Sequence, residues 1–295
     1  MPTETFARRT GRRLGMAAGA LAFAAALVAC SSSSSQTTSA AVGKNCVPAH
    51  KFSTVQSGDL SVVGAQYAPW YTVTNGQPAG VEVDILKAVA AMECLQVTGQ
   101  ALDGPGVVSA VTTGRADLAA GGWVATKARQ KVLGITVPIY ADPIAILSKT
   151  GIDSFATVKK DNIALGDLGG DLEVAPLQAL LGNQLKVYQT YAQAVSDMKD
   201  GRLGAVTMSL SGAVEAIKQY HLTGYQAVKA VADPAVPPTV SVGQIGWLTN
   251  LKNVALREAL DADLNELRAN GTLKKIFEQN GEPVALLNTG PAHFI

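Results

Sequence analysis

The sequence predicts an α/β protein with two lobes, each built from a sheet with helices on both faces. From about residue 60 onward, short apolar runs typical of strands alternate with segments typical of helices, which indicates parallel sheets. Two longer apolar runs, at residues 143–149 and 239–248, lead from one such series into another and back. The chain has 295 residues, 47% hydrophobic and 16% charged, so it is long enough for a sizeable core and too apolar for a disordered protein.

The first series covers residues 60 to 120. Strands are expected at 60–64, at 95–101 and from 118 onward, and helices at 80–92 and 107–113. Ile85, Val89 and Met92 recur at helical spacing, which predicts one apolar face against the sheet. Loops that follow the carboxyl ends of parallel strands are where such proteins bind ligands.

The second series follows the first long apolar run. Strands are expected at 163–166, 185–188 and 204–208, and helices at 191–199 and 212–220. Gly169-Gly170-Asp171 is expected to open a further helix. After the second apolar run, residues 253–270 have the periodicity of an amphipathic helix, and a shorter helix is expected at 271–279.

The N-terminus has the composition of an export signal. Four arginines precede the apolar run 14–28, which is too short to span a bilayer comfortably. The run ends in Leu27-Val28-Ala29-Cys30, which resembles a bacterial lipobox and implies cleavage before Cys30 and lipidation of that residue. An ordinary signal peptide with a chance cysteine is the alternative, and the Sec and Tat routes both stay open.

A lipoprotein signal at 1–29 leaves a Ser-rich tether at 30–45 that is too polar to pack. Removing residues 1–29 takes away four arginines and one glutamate, which changes the formal net charge from +1 to −2. A chain of this charge gives no indication of a nucleic-acid partner.

Two cysteines remain after the lipobox. In an exported protein, Cys46 and Cys94 are expected to form a disulfide rather than two free thiols. Cys46 precedes the first strand and Cys94 follows the first helix, so both fall at the sheet edge opposite the ligand face. Closing this loop stabilises a fold by about 3–4 kcal/mol in the chain-entropy model.

Several short motifs in order resemble one family. Thr126-x-x-Arg129, followed by an apolar run that ends in Pro138-x-Tyr140, is similar to a signature of the bacterial extracellular solute-binding proteins (family 3) that serve amino-acid ABC transporters. GxxVDI at 80–85, GRADLAA at 114–120, DGRLGAV at 200–206 and NGTLKKI at 270–276 extend the resemblance over about 58–281. It implies a two-lobe periplasmic-binding-protein fold (type II), with lobe 1 at 46–145 plus 247–291, lobe 2 at 146–246, and two hinge strands.

The resemblance also implies a ligand site. Arg129 takes the position of the residue that clamps the ligand's carboxylate, a role that suits a planar guanidinium. A solvated surface arginine is the alternative for Arg129, and packing or helix capping is the alternative for the aromatic residues and Asp171. The expected ligand-binding residues are Tyr67, Trp70, Gly122, Trp123, Thr126, Arg129, Gly169, Gly170, Asp171 and Ser209.

Ser209 is where the chain departs from the family pattern. The family commonly has an aspartate there that pairs with the ligand's ammonium, and no acidic residue follows until Glu215. Either Glu82 or Asp103 replaces that aspartate, or the ligand is not a standard α-amino acid. The second interpretation is favoured slightly.

The function implied is that of a lipid-anchored receptor, expected to be a monomer, that delivers a small carboxylate-bearing ligand to an ABC permease. An exported dehydratase-like enzyme and a ligand sensor for a membrane receptor are the alternatives. His50, His221 and His293 lie outside the expected strand-end loops, and no metal-ligand spacing appears, so no catalytic residue, metal or cofactor is expected. The ligand's identity and the membrane that carries the anchor stay open.

Overall fold

The computed structural model describes residues 45–295. The predicted signal peptide, the lipobox cysteine Cys30 and nearly all of the predicted tether lie outside these residues. No helix within the described part of the chain combines the length and hydropathy needed to cross a membrane.

Strands and helices alternate along the described chain. The strands are β1 (Asp59–Gly64), β2 (Thr72–Thr74), β3 (Gln77–Ala79), β4 (Gln96–Ala101), β5 (Leu118–Ala119), β6 (Leu133–Ile135), β7 (Tyr140–Ala141), β8 (Ile144–Ser148), β9 (Leu165–Leu168), β10 (Leu185–Tyr188), β11 (Ala205–Ser209), β12 (Gln226–Lys229), β13 (Gln244–Ile245) and β14 (Leu248–Asn250). The helices are α1 (Val81–Met92), α2 (Gly104–Thr112), α3 (Lys127–Gln130), α4 (Phe155–Lys160), α5 (Val174–Leu181), α6 (Tyr191–Lys199), α7 (Leu210–Gln219), α8 (Val254–Ala269) and α9 (Thr272–Gln279). Single 3₁₀ turns occur at Gly182–Gln184, Pro237–Thr239 and Val284–Leu287.

Two five-stranded sheets organise the fold. The first has the order β4-β1-β5-β14-β6, and the second has the order β10-β9-β11-β8-β12. In the first sheet β4, β1 and β5 are parallel, while β14 runs antiparallel to β5 and β6. In the second sheet β10, β9 and β11 are parallel, while β8 runs antiparallel to β11 and β12.

The strands expected to be parallel in each series are parallel, and the antiparallel strands are those that connect the lobes. β8 and β14 each enter their sheet directly from the other one, without the helix that a parallel crossover requires. Next to them, β7 pairs antiparallel with β13, so the two crossing segments lie side by side.

The second long apolar run is not one continuous strand, as 239–248 was expected to be. It divides into the 3₁₀ turn at Pro237–Thr239, β13 and β14. A Cβ at Gly243 would lie 2.9 Å from Val124 Cγ1, and a Cβ at Gly246 would lie 3.0 Å from the Thr136 carbonyl oxygen. Glycines at these close approaches let the segment leave β7 and join the first sheet.

Each sheet is covered by helices on both faces. The larger cluster of the first sheet packs α1, α8 and α9 against it around Trp70, Trp247 and Phe277, and a smaller cluster under α2 includes Val107 and Leu133. Two further clusters cover the faces of the second sheet. These cores hold the strand ends of the two sheets in fixed positions, from which the loops of the site project.

The predicted disulfide is present. Cys46 and Cys94 are bonded, with their Cα atoms 5.7 Å apart. Cys94 has a φ of +57°, which lets the chain reverse directly after α1 and enter β4. The bond ties the first described residues to the end of α1.

Candidate functional site

A cavity of about 740 Å³ lies between loops of the two sheets. Eight of the ten residues expected to bind ligand line it: Tyr67, Trp70, Gly122, Trp123, Arg129, Gly170, Asp171 and Ser209. Thr126 and Gly169 do not line it. Both have structural hydrogen bonds instead, since the Thr126 hydroxyl accepts from the Arg129 N–H at 3.1 Å and the Gly169 N–H donates to the Tyr188 carbonyl at 2.9 Å.

The Gly121-Gly122 turn is held by a buried carboxylate. The Gly121 and Gly122 N–H groups donate to the two oxygens of Glu82 at 2.9 and 2.8 Å. The Tyr140 hydroxyl and Trp247 Nε1 donate to the same carboxylate at 2.8 and 2.9 Å. Burial raises the pKa of Glu82, while these four donors oppose that shift by favouring the ionised form.

This network bears on two residues that the sequence analysis named. The Gly122 N–H is not available to a ligand's carboxylate, because Glu82 already accepts it. Glu82 is also not a free partner for an ammonium, because both of its oxygens are occupied and its side chain is fully buried. Its part is to fix the turn that carries Trp123.

Arg129 lines the cavity. It lies in α3, whose N-cap is Thr126, and its guanidinium carbon is 4.8 Å from the centre of the Trp123 ring. One donor, Nη1, is used on the Val124 carbonyl at 2.5 Å. No ion pair within residues 45–295 involves Arg129, and burial lowers its pKa. The group is therefore a partly desolvated cation with unused donors.

The aromatic residues after β1 connect the two lobes. Tyr67 and Ser209 share a hydrogen bond of 2.6 Å between their hydroxyl oxygens, and Trp70 Nε1 donates to Ser211 Oγ at 2.8 Å. Trp70 is fully buried and stacks on Tyr140 with ring centres 3.8 Å apart. Trp70 is thus a core residue at the cavity wall, as its alternative interpretation anticipated, whereas Tyr67 is partly buried.

Asp142 brings a carboxylate close to Ser209, the position at which the resemblance led us to expect an aspartate. Its side chain accepts hydrogen bonds from the Ser211 hydroxyl and from the Ser211 N–H, the latter at 3.2 Å. Ser211 is in the first turn of α7, so the helix dipole favours a carboxylate here, although burial raises the pKa of Asp142. No acidic residue follows Ser209 along the chain until Glu215, but the fold brings Asp142 to the same end of α7.

Gly169-Gly170-Asp171 forms a turn and does not open a helix. The next helix, α5, begins only at Val174, with Glu173 at the N-cap position and no capping by that side chain. Asp171 does not cap a helix; its carboxylate accepts a hydrogen bond from the Tyr191 hydroxyl. Gly170 has a φ of +100°, which turns the chain back toward α5.

Three carboxyl groups of the second lobe cluster beside this turn. Asp167, Asp171 and Glu173 bring oxygens to within 4.8 Å of one another, and Asp171 and Glu173 line the cavity. Burial, followed by mutual repulsion, raises the pKa of Asp167 and of Glu173. One oxygen of fully buried Asp167 has no hydrogen-bond partner within the described residues.

The charged side chains of the cavity are thus strongly unbalanced. Those that line it are one cation and four carboxylates: Arg129, Asp142, Asp171, Glu173 and Glu215. Only Glu215 has a cationic partner within residues 45–295, Lys218 at 3.7 Å. A molecule with one anionic group and additional positive charge would balance such a lining.

Comparison with known proteins identifies the family. Residues 61–282 match the model of the bacterial extracellular solute-binding proteins, family 3. The chain belongs to this family. As a family 3 solute-binding protein it has the predicted two-lobe α/β fold, which solved structures of similar proteins share.

Individual relatives are distant but cover most of the chain. An "Arginine-binding periplasmic protein" of Mannheimia haemolytica is 23% identical over 77% of this chain and 92% of its own. "ABC transporter arginine-binding protein 1" of Escherichia coli (strain K12) is 26% identical over 74% of this chain and 88% of its own. The solved structure of an ancestral arginine-binding protein bound to glutamine has a TM-score of 0.63 at 24% identity, covering 76% of this chain and 98% of that one.

Sequence reasoning named Asp171 but missed three other acidic residues in or beside the cavity of this family 3 protein: Asp142, Asp167 and Glu173. The sequence contains a feature that could have drawn attention to Asp142, because it is the single charged residue between Lys131 and Lys149. Asp167 also stands out in the sequence, since a carboxylate within an apolar strand is uncommon. For Glu173 we find no local signal.

Proposed function

We propose that the cavity binds a cationic amino acid, with the α-carboxylate on Arg129 and the positive groups on Asp142, Asp171 and Glu173. The observation that carries this proposal is the unbalanced charge of the lining. Within residues 45–295, a guanidinium without a carboxylate partner lies in the same cavity as three carboxylates without cationic partners. Buried charges of this kind are expensive unless a partner neutralises them.

The contacts of Arg129 support its part as the carboxylate clamp. Its guanidinium is held in place by the Val124 carbonyl and the Trp123 ring, and its remaining donors are unused. A fixed fork of N–H donors is the geometry that binds a carboxylate through two parallel hydrogen bonds.

The position of Asp142 supports an ordinary α-ammonium in the ligand. The preference for an atypical ligand rested on Ser209, but Asp142 brings a carboxylate to the same end of α7. Asp171 and Glu173 then remain for a second cationic group, such as a guanidinium or ammonium at the end of a side chain. The names of two relatives, both arginine-binding proteins, agree with this assignment.

In this proposal the protein delivers its ligand to an ABC permease. The lobes, 46–145 plus 247–291 and 146–246, close on the ligand by bending the paired crossing segments. The hydrogen bond between Tyr67 and Ser209 and the one from Trp70 to Ser211 stabilise the closed arrangement. Closure needs a ligand that binds this arrangement more tightly than the open one.

A lipid anchor at Cys30 completes the proposal. The lipobox motif supports it, and the Ser-rich segment after it supplies the tether. Mass spectrometry of the membrane fraction tests this directly: acyl chains on Cys30 are expected, and a processed chain without them contradicts the anchor.

Isothermal titration calorimetry of the purified protein tests the ligand. L-Arginine is expected to bind, and agmatine, which lacks the carboxylate, and 5-guanidinopentanoate, which lacks the α-ammonium, are each expected to bind at least about 30-fold more weakly, because a lost charge partner costs about 2–5 kcal/mol. Arg129→Ala should weaken arginine to a similar degree, whereas Arg115→Ala, an exposed arginine outside the cavity, should have no effect.

Two results would overturn the assignment. If neutral glutamine binds as tightly as arginine in both the wild type and Glu173→Gln, the acidic residues do not recognise the ligand. If arginine binds equally well to Arg129→Ala, Arg129 does not hold the ligand's carboxylate. The arginine recovered after incubation with the protein also distinguishes binding from catalysis. Chemically unchanged arginine supports a receptor, and a converted product supports the dehydratase-like alternative.

A further inference from the structure

A second cluster of polar side chains lies in the first lobe, outside the ligand cavity. His50 Nδ1 is 2.6 Å from Glu93 Oε1 and 3.4 Å from Asp263 Oδ1. The three possible ligand atoms, one from each side chain, all lie within 4.8 Å of one another. The residues come from three parts of the chain: the segment before β1, the C-cap of α1, and the middle of α8.

Asp263 is the most unusual member of this cluster. It occupies the buried stripe of α8 together with Leu260, Leu264 and Leu267, and its side chain is fully buried. Neither of its oxygens receives a hydrogen bond from residues 45–295. A buried carboxylate without donors is strongly disfavoured, so a cation at this position would stabilise it.

The other two side chains are held in position by the backbone. The Ala49 N–H donates to the Met92 carbonyl at 3.2 Å, and the His50 N–H donates to Glu93 Oε2 at 3.0 Å. The disulfide between Cys46 and Cys94 fastens the same two segments to each other. Glu93 therefore keeps one oxygen for the backbone and turns the other toward His50.

The cluster is open to solvent on one side. A second cavity, of about 340 Å³, is lined by His50 and Glu93 together with Phe52, Ser57 and Leu95. The His50 side chain is 37% exposed, whereas those of Glu93 and Asp263 are 1% and 0% exposed. Two of the three side chains, His50 and Glu93, therefore line a cavity that an ion can enter from solvent.

We propose that His50, Glu93 and Asp263 bind a divalent transition-metal ion of the zinc type. Ligand distances of about 2.0–2.2 Å place the donor atoms of a tetrahedral site roughly 3.3 Å apart, which the observed separations of 2.6 and 3.4 Å bracket. An imidazole with two carboxylates suits zinc better than magnesium or calcium, which prefer oxygen ligands alone. Water from the adjoining cavity would complete the coordination.

Metal binding here would fasten the segment before β1 to α1 and α8. The site lies at the sheet edge opposite the ligand loops, so its effect is on the stability of the first lobe. Sequence spacing did not predict it, because His50 and Glu93 are 43 residues apart and Asp263 lies on a distant helix.

Thermal unfolding of the full chain, stripped with a chelator and then titrated with ZnCl₂ or MgCl₂, tests the proposal. At a hundredfold excess over the dissociation constant, zinc is expected to raise the melting temperature by roughly 5–10 °C, and magnesium should have no effect. Asp263→Asn and His50→Ala should each abolish the response. His221→Asn, a histidine outside the cluster, should keep it.

A further variant distinguishes the two carboxylate clusters of the chain. Glu173→Gln alters the cluster in the ligand cavity and is expected to leave the zinc response unchanged. No zinc response in the wild type overturns the proposal, and so does a response that survives in Asp263→Asn or disappears in Glu173→Gln. Asp263→Asn should fold at least as stably as the chelated wild type, because it removes a buried charge, so loss of its response cannot be attributed to unfolding.

Discussion

The Glu82 carboxylate offers a sharp test of how the site is built. It lies in the first turn of α1, fully buried, and holds together three distant parts of the first lobe through four hydrogen bonds. One oxygen accepts from the Gly122 N–H and the Tyr140 hydroxyl, and the other accepts from the Gly121 N–H and Trp247 Nε1. Glu82→Gln keeps the shape of the side chain and removes one acceptor.

The size of the effect follows from the arrangement of the donors. In either orientation of the new amide, its NH₂ group faces one backbone N–H and one further donor. Only the Tyr140 hydroxyl can rotate to accept instead, so one or two buried donors lose their acceptor. Each costs about 1–3 kcal/mol, and the lost negative charge weakens the remaining bonds. We expect the free energy of unfolding to fall by about 2–5 kcal/mol, which lowers the melting temperature by roughly 5–15 °C.

Thermal unfolding followed by tryptophan fluorescence measures this change, since Trp70 and Trp247 lie in the same core. Glu278→Gln, an exposed glutamate on α9, is the matched control and should change the melting temperature by less than 2 °C. A Glu82→Gln protein as stable as this control would refute the reasoning. Arginine affinity should fall as well, because the Gly121-Gly122 turn positions Trp123 beneath Arg129.

Two further predictions concern acidic residues in and beside the cavity. Asp167→Asn should stabilise the ligand-free protein by about 1–2 kcal/mol, or roughly 2–8 °C in calorimetry. Because the pKa of Asp167 is raised in the native protein, this gain in stability should be largest at high pH and vanish toward pH 4. An equal gain at every pH would contradict the prediction. Arginine affinity should fall as pH decreases from 8 to 5, by up to about tenfold per unit for each carboxyl that must lose a proton, because the pKa values of Asp142 and Glu173 are raised. Calorimetry should show that Glu173→Gln makes this dependence shallower.

The order of elements was predictable from the sequence because its signals are local. The apolar face of α1, the alternation of strands and helices, and the amphipathic pattern of α8 each occupy one short window. The disulfide was predictable from an even pair of cysteines in an exported chain and from the topology of one βαβ unit. The error at residues 239–248 arose because the run is apolar throughout, and only the close approach of Val124 and Thr136 to two glycines shows where it breaks.

The positions of Asp142 and Glu82 were not predictable in the same way. Asp142 reaches the N-terminus of α7 only because β7 and β8 pass between the lobes, 69 residues before Ser211 in the chain. Glu82 has the appearance of an ordinary first-turn glutamate, and its donors lie 39 to 165 residues further on. Long-range contacts of this kind leave no periodicity in the sequence, so the charge of the lining became visible only in three dimensions.

The place of Asp142 in the fold bears on how a ligand would act on the lobes. It follows directly after β7, which pairs with β13, and its carboxylate accepts from Ser211 at the start of α7 in the second lobe. An aspartate at position 209 would belong to the second lobe alone. A ligand ammonium paired with Asp142 would instead attach to the crossing segment itself, together with Arg129 from the first lobe. In that proposal Asp142 takes the role of an aspartate at position 209, and the crossing segment that is proposed to bend on closure would be part of the binding site.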